Sequence, residues 1–195
     1  MFPLWLKLAA TIPVVIILGI YWIKYGPGNF LWFSDIAMIG AVSALWLENS
    51  LIASTQTVAV LLPELVWNIS FFGQLLTGKR VTGLTDYMFE PQRPLYLKAL
   101  SLFHVPLTPL LVWIVWRLGY DPRALVAAAL MCWIVLPLCY WFTSPQRNVN
   151  WVRGPGGEGT VQKFMPPLAW VGFLMFVVFP LIYLPTHFLL KTLFS

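Results

Sequence analysis

Long apolar runs separated by short polar segments make up almost the whole chain. A helix needs about 20 mostly apolar residues to cross a bilayer, and six runs approach or exceed that length. Glycine and proline occupy several of the gaps, as in Tyr25-Gly26-Pro27-Gly28, which is typical of a turn. The pattern predicts an all-α polytopic membrane protein, one domain over residues 1–195, with transmembrane helices at about residues 2–25, 30–48, 51–73, 95–119, 123–143 and 167–191.

The composition excludes a soluble domain. Hydrophobic residues make up 59% of the chain and charged residues 10%, whereas soluble domains carry about 25% charged residues. The 11 Trp, 7 Tyr and 14 Phe suit aromatic belts at the two headgroup layers. The net charge of +5 comes from loops and helix ends, so it indicates topology and contact with anionic lipid. Membrane lipids are therefore the expected partners, and no nucleic-acid-binding pattern is present.

The two cysteines give no sign of a disulfide or a metal site. Cys132 and Cys139 are seven positions apart on one predicted helix, about 10 Å by helical rise, which is too far for a disulfide between them. Their spacing matches no metal motif, so we expect no metal and no cofactor, and the redox compartment is not readable. The first apolar run lacks a small-residue cleavage site, so we interpret it as a transmembrane helix and not a removed signal.

The distribution of lysine and arginine predicts the orientation. Eight of the 12 basic residues flank one side of the predicted bundle, and the other four are Lys7, Arg117, Arg123 and Lys191. The side with more basic residues is expected in the cytoplasm. We therefore predict both termini outside, segments 74–94 and 143–166 inside, and a bacterial inner membrane as the location.

Ionisable side chains lie inside three of the predicted helices. Asp35 is five residues into the second helix, His104 is nine into the fourth, and Glu64 is nine before the end of the third. At about 1.5 Å per residue, all three lie roughly 8–14 Å from the cytoplasmic boundary. An ionisable residue at such a depth is costly unless it faces a polar interior, and it marks a functional site by default.

Further polar residues share helix faces with these three. The third helix carries a stripe formed by Ser54, Thr57, Glu64 and Asn68. The fourth carries a second stripe formed by Ser101, His104 and Thr108. Pro106 and Pro109 should loosen the fourth helix near His104, because proline lacks an N–H and clashes with the preceding turn. We predict an intramembrane polar pocket open to the cytoplasmic leaflet, with Asn68, Ser101 and Thr108 contributing to binding.

The three ionisable groups suit acid–base chemistry. A carboxylate beside His104 would hold the imidazole in one tautomer, so we predict hydrogen-bond reach, direct or through one water, to Asp35 or Glu64. His104 is the candidate base, and Ser34, Ser101 or a water molecule is the candidate nucleophile. The alternative is a histidine that hydrogen-bonds between helices only for packing.

A polar tract follows the fifth predicted helix. Tyr140 lies near the end of that helix, and Asn148, Asn150 and Trp151 follow in the next loop. All four belong to the same leaflet as His104, so we assign them to the binding pocket. The alternative is an interfacial anchor, which tryptophan and arginine favour in many membrane proteins.

Three short pieces of the chain resemble a known superfamily. They are Phe30-Leu31-Trp32-Phe33-Ser34-Asp35, Phe103-His104-Val105-Pro106 and Asn148-Val149-Asn150-Trp151. With the order of six helices, they are similar to the androgen-induced protein family of membrane threonine hydrolases, related lipid acyltransferases and bacterial YwaF-like proteins. The resemblance implies that His104 is the catalytic histidine, and it places Trp32 where that family has its threonine.

Two function hypotheses from different classes follow. The first is an intramembrane enzyme acting on lipid acyl esters, with His104 as base, Asp35 or Glu64 as orienting group and Ser34 as nucleophile. The second is a non-catalytic membrane subunit or assembly factor of a larger respiratory or photosynthetic complex, which would have other membrane subunits as partners. Aromatic content and short loops suit the second hypothesis, and the sequence leaves the choice open.

Overall fold

The computed structural model describes residues 1–157 and 159–194, and these residues form helices and turns without any strand. The α-helices are α1 (Leu4–Tyr25), α2 (Phe33–Leu47), α3 (Ser50–Thr77), α4 (Asp86–Phe89), α5 (Leu95–Ser101), α6 (His104–Leu118), α7 (Ala124–Phe142), α8 (Pro167–Phe173) and α9 (Phe179–Phe194). Two 3₁₀ helices, Pro27–Leu31 and Val149–Trp151, lie in loops, and a π-helical segment, Leu174–Val178, joins α8 to α9. The all-α prediction is confirmed.

Five helical stretches are long and apolar enough to cross a membrane. They are Leu4–Tyr25, Ser50–Thr77, Leu95–Leu118, Ala124–Phe142 and Pro167–Phe194. Each matches one of the predicted spans, with shifts of a few residues at the ends. The remaining predicted span, residues 30–48, differs: it begins as the 3₁₀ helix Pro27–Leu31 and continues as α2, which has 15 residues. The chain is a multi-pass membrane protein with at least these five candidate crossings.

Contacts between distant residues fix which helix ends lie together. The Phe2 amide donates to Glu48 Oε1 at 2.9 Å, so the end of α2 lies beside the start of α1. The Tyr120 amide donates to the Phe194 carbonyl at 3.0 Å, so the end of α9 lies beside the turn between α6 and α7. The Asp121 amide donates to Ser54 Oγ, near the start of α3. The chain termini therefore lie at one end of the bundle, which we call the terminal end.

The other end carries the longer loops, and we call it the loop end. It contains the turn after α1, residues 78–94 between α3 and α5, and residues 143–166 between α7 and α8. Arg147 joins two of these pieces, because its Nη1 donates to the Tyr25 carbonyl at 2.7 Å. A cavity opens among these loops.

Helix α3 forms the centre of the bundle and packs on α2, α6, α7 and α9. Small residues allow the close approach of α2 and α3, since Ala37, Ala41, Ala53 and Ala59 are almost completely buried. A Cβ placed on Gly40 would lie 2.5 Å from Cγ of Gln56, so any larger residue at this crossing would force the Gln56 side chain to move. Helix α3 is therefore packed closely against α2, and its polar stripe faces the interior.

A break separates α5 from α6 directly before His104. The Phe103 amide bonds to the Leu100 carbonyl at 3.2 Å and the Val105 amide to the Leu102 carbonyl at 3.0 Å, both with three-residue spacing. Pro106 has no N–H to donate to Leu102, so the tighter bond replaces the missing one. The predicted loosening near His104 is confirmed, and His104 starts a new helix with its ring turned toward α3.

Candidate functional site

A cavity of about 430 Å³ lies between the loop end and the middle of the bundle. Its inner wall includes Asp35 of α2, Glu64 of α3 and His104 of α6, so three candidate residues line one space. Its mouth is formed by side chains of the loops, among them Arg93 and Arg147. A volume of this size lies within the range of small-molecule pockets.

His104 and Glu64 form a direct pair inside this cavity. The imidazole Nδ1 lies 2.8 Å from Glu64 Oε2. Glu64 is 3% exposed, so the carboxylate is removed from bulk water and its interaction with the ring is weakly screened. The predicted hydrogen bond between His104 and a carboxylate is confirmed, and Glu64 is the partner.

Two aromatic rings hold the imidazole in a fixed plane. The ring of Trp67 stacks on His104 with 4.4 Å between centroids, and the ring of Phe103 stacks with 4.2 Å. Asn68 supports the same turn, since its Nδ2 donates to the His104 carbonyl at 3.1 Å and to the Glu64 carbonyl at 2.8 Å. The ring is therefore positioned by packing and by hydrogen bonds from α3.

The second ring nitrogen of His104, Nε2, has no hydrogen-bond partner in the described residues. Among residues 1–157 and 159–194, Nε2 makes no hydrogen bond, and it does not belong to the fully buried polar atoms that lack a hydrogen-bond partner. If the Glu64 carboxylate accepts the Nδ1 proton, Nε2 carries a lone pair that no described residue occupies. A base oriented by a carboxylate is the arrangement that general-base catalysis uses.

Asp35 is buried on the same wall but bonds to a different partner. The carboxylate is 2% exposed, and its Oδ2 accepts from Asn29 Nδ2 at 2.7 Å. Asn29 Oδ1 in turn accepts from Arg147 Nη2 at 2.5 Å. Asp35 is thus linked to the arginine through an amide and makes no direct hydrogen bond to His104.

The loop tract after α7 is divided between the cavity and the protein interior. Asn150 lines the cavity and ties α2 in place, because its Oδ1 accepts from the Phe33 amide at 3.2 Å and its Nδ2 donates to the Leu31 carbonyl at 2.7 Å. Trp151 also lines the cavity, and its carbonyl accepts from Trp170. Both residues have positive φ, so this turn is shaped by its hydrogen bonds.

Tyr140 and Asn148 are not among the residues that line the cavity. Asn148 organises its own loop, because its Nδ2 donates to the Gly154 carbonyl and its Oδ1 accepts from the Arg153 amide. The Tyr140 ring lies under the guanidinium of Arg153, with 4.0 Å from Cζ to the ring centroid. The packing accounts for these two residues without a ligand.

The three hydroxyl candidates have different surroundings. Ser34 lines the cavity, yet its hydroxyl makes no hydrogen bond to His104 within the described residues. Ser101 also lines the cavity, donates to the Leu97 carbonyl and shares a hydrogen bond with Tyr21 Oη. Thr108 Oγ1 is buried without a partner among the described residues, and Thr108 does not line the cavity. None of these three hydroxyls hydrogen-bonds to His104 within the described residues.

The sequence did not predict several residues of the site. Asn29 and Arg147 lie in loops, and Trp67 appears in the sequence as one of many aromatic residues. Tyr87 comes from the segment between α3 and α5, and its hydroxyl accepts from Trp67 Nε1 at 3.1 Å. Burial raises the pKa of Tyr87 well above its usual value, so the phenol stays neutral and able to donate.

In the described part of the chain, no group of three or more His, Cys, Asp or Glu side chains could hold a metal ion. Comparison of the chain with protein-family models, curated proteins and solved structures found no match.

Proposed function

We propose that this protein is an intramembrane hydrolase of lipid acyl esters in which Glu64 and His104 activate a water molecule. The observation that carries the proposal is the 2.8 Å contact between Glu64 Oε2 and His104 Nδ1, two residues that line one cavity. The resemblance of the Phe103–Pro106 segment to the androgen-induced protein superfamily supports the same role for His104.

The proposed reaction needs only the ester, water and this pair. His104 Nε2 takes a proton as the water oxygen bonds to the ester carbonyl carbon, and Glu64 stabilises the imidazolium that forms. The tetrahedral intermediate then collapses, the bond to the alcohol oxygen breaks, and Nε2 returns the proton to that oxygen. The products are a fatty acid and an alcohol, and the pair ends in its starting state.

We also propose six membrane crossings. Helix α1 has 22 residues, a rise of about 33 Å. The Phe2–Glu48 contact supports a return over the same distance, because it places the end of α2 beside the start of α1. The 3₁₀ helix Pro27–Leu31 and α2 together make that return, and the sixth crossing is therefore shared by two short elements.

The proposed location is a bacterial inner membrane with the loop end in the cytoplasm and both termini outside. The excess of lysine and arginine around the loop end supports this orientation. In this arrangement the cavity opens toward the cytoplasmic leaflet, where the acyl esters of that leaflet would reach it.

A non-catalytic subunit or assembly factor is the second candidate. The observation that favours it is the absence of a hydrogen bond between Ser34 and His104 in the described residues, together with Trp32 at the position of the superfamily's threonine. On this hypothesis the Glu64–His104 pair would serve packing, and other membrane subunits would be the partners.

Turnover of defined lipid esters by the purified protein in nanodiscs tests the proposal. We expect His104→Ala and Glu64→Gln to lower the rate by about 10²–10⁴-fold, because each removes the oriented base. His187→Ala is the matched control, since His187 is bonded to Tyr120 Oη at the terminal end and does not line the cavity. Wild-type protein that is folded and inactive on all esters, and that purifies with a stoichiometric partner, would instead support the subunit hypothesis.

A further inference from the structure

The inner wall of the cavity includes two carboxylate oxygens that accept no hydrogen bond from the described residues. Asp35 accepts one hydrogen bond, at Oδ2, and Glu64 accepts one from a side chain, at Oε2. Within the described residues Asp35 Oδ1 and Glu64 Oε1 accept none, although the two side chains are only 2% and 3% exposed. Both residues line the cavity, so a ligand that enters it can meet their carboxylates.

The charges of the cavity are unequally compensated. At the mouth, Arg80 pairs with Asp86 at 2.7 Å and Arg93 pairs with Glu90 at 3.1 Å. No lysine or arginine in the described part of the chain forms an ion pair with Asp35 or Glu64, and Arg147 is linked to Asp35 by hydrogen bonds through Asn29. A buried carboxylate is costly unless its oxygens are paired, and in the described residues one oxygen of each of these two carboxylates accepts no hydrogen bond. The inner wall therefore favours a ligand that brings positive charge and N–H donors.

Aromatic rings form much of the surrounding surface. The cavity is lined by Tyr21, Trp32, Phe33, Trp67, Phe103 and Trp151, among others. The face of an aromatic ring attracts a cation, and the attraction grows when water is excluded. Carboxylates combined with aromatic faces are complementary to an organic cation.

We propose that the inner part of this cavity binds a primary ammonium group, with Asp35 Oδ1 and Glu64 Oε1 each accepting one of its N–H bonds. This inference rests on the proposed function and deepens it, because it names the head of the substrate as an amine. His104 Nε2 stays available for water. A trimethylammonium group has no N–H to donate, so it would leave both carboxylate oxygens unpaired.

The ammonium group has two sources that share this chemistry. One is the headgroup of an aminophospholipid such as phosphatidylethanolamine, which reaches the cavity from the bilayer. The other is a free amine from the aqueous phase, which reaches it through the loop end. Lipid and soluble probes separate these two sources.

The test measures thermal stabilisation of the full-length protein by defined probes. We expect phosphatidylethanolamine in mixed micelles to raise the midpoint of unfolding, with an apparent affinity at least tenfold above that of phosphatidylcholine with the same acyl chains. Free ethanolamine is the soluble probe, and free choline is its matched control. Stabilisation by the lipid alone assigns the site to a headgroup, and stabilisation by ethanolamine as well assigns it to amines of either source.

Variants connect the binding to the two carboxylates. We expect Asp35→Asn and Glu64→Gln each to weaken the binding of the amine at least tenfold. Each amide lacks the negative charge of the carboxylate that it replaces, and its own N–H group cannot accept a hydrogen bond from the ammonium group. Asp121→Asn is the matched control, because Asp121 pairs with Arg123 at the terminal end, away from the cavity. If a variant does not fold, the comparison of the amine and choline probes on wild-type protein still tests whether the cavity prefers a primary ammonium group.

Equal stabilisation by ethanolamine and choline lipids, or amine binding unchanged in both variants, would overturn the inference. This failure is distinct from failure of the proposed function. Amine binding without ester turnover would leave the inference standing and remove the hydrolase. Turnover that is equal on both lipids, without amine binding, would leave the hydrolase and remove the inference.

Discussion

His104 and Glu64 are 40 positions apart in the sequence, yet the imidazole Nδ1 lies 2.8 Å from the carboxylate Oε2. The two residues sit on different helices, and the break between α5 and α6 places His104 at the first turn of α6. Trp67, one turn after Glu64 on α3, stacks on the same imidazole. One helix therefore supplies both the orienting carboxylate and one face of the packing around the base.

We predict a strong energetic coupling between these two residues. Glu64→Ala and His104→Ala should each lower the free energy of unfolding by about 1–3 kcal/mol, because each leaves a buried polar partner unpaired. The double variant should cost less than the sum, with a coupling of about 0.5–3 kcal/mol. The free energies are measured by denaturant titration in detergent.

The control cycle combines His104→Ala with Asn49→Ala. Asn49 caps α3 at its far end, where its Oδ1 accepts from the Ile52 amide. These two changes should add within about 0.5 kcal/mol, because the sites share no partner. Simple additivity in the Glu64–His104 cycle would contradict the pairing.

We predict that Ser34 is not the nucleophile. Ser34→Ala should retain ester turnover within a few-fold of wild type, because the Ser34 hydroxyl is not hydrogen-bonded to His104 in the described residues. For the same reason, wild-type protein should not react with a fluorophosphonate probe, which labels activated serines. Labelling that Ser34→Ala abolishes would restore the serine mechanism and exclude water as the nucleophile.

The depth of the polar residues along their helices was enough to predict that His104 meets a carboxylate, either Asp35 or Glu64, and the structure shows that the partner is Glu64. Counting residues from the helix ends placed both groups in the same leaflet, because helical rise is nearly constant. The proline pattern also predicted the loosening near His104, since Pro106 has no N–H to donate to the Leu102 carbonyl. The depth of a residue and the position of a proline can each be determined along a single helix, without knowing how the helices pack.

The partner of Asp35 could not be predicted in this way. Asn29 and Arg147 reach Asp35 from two loops whose paths depend on tertiary packing. The loop residues Asn148 and Asn150 are two positions apart, but only Asn150 lines the cavity. Both have positive φ, a backbone state that sequence periodicity does not reveal. The positions of the loop residues in the site therefore could not be predicted from the sequence and are known only from the structure.

We predict that Asn150 stabilises the entry to α2. Asn150→Ala should lower the free energy of unfolding by about 2–4 kcal/mol, because it removes the bonds to the Phe33 amide and the Leu31 carbonyl and puts alanine at φ +50°. Asn150→Gly should cost less, since glycine accepts positive φ without strain. Thermal unfolding of the two variants in one detergent makes the comparison, and equal losses would show that backbone strain is unimportant.

We predict that the loop end faces the cytoplasm. Lys79→Cys and Lys163→Cys, at exposed loop-end positions, should react with a membrane-impermeant maleimide only after cells are opened. Arg123→Cys, exposed at the terminal end, should react in intact cells. The native Cys132 and Cys139 are buried and free, so wild-type protein provides an unlabelled baseline. Labelling of Lys79→Cys in intact cells would reverse the proposed orientation.

The last prediction concerns pH and the contact between the start of α1 and the end of α2. Lys7 Nζ donates to Glu48 Oε1 at 3.0 Å, and the Phe2 amide donates to the same oxygen at 2.9 Å. The Lys7 ammonium and the Phe2 amide lower the pKa of Glu48 below its usual value. A carboxylate whose pKa is lowered by folding stabilises the folded state at pH values above its unfolded pKa, and this contribution is lost as the pH falls through the folded pKa.

Glu48→Gln should therefore lower the melting temperature at neutral pH, and the difference from wild type should shrink in acid. Glu90→Gln, at an exposed carboxylate that pairs with Arg93 at the loop end, is the control for the general effect of removing a carboxylate. A Glu48→Gln deficit that stays constant from neutral to acidic pH would show that the contact depends on packing and not on the charge of Glu48.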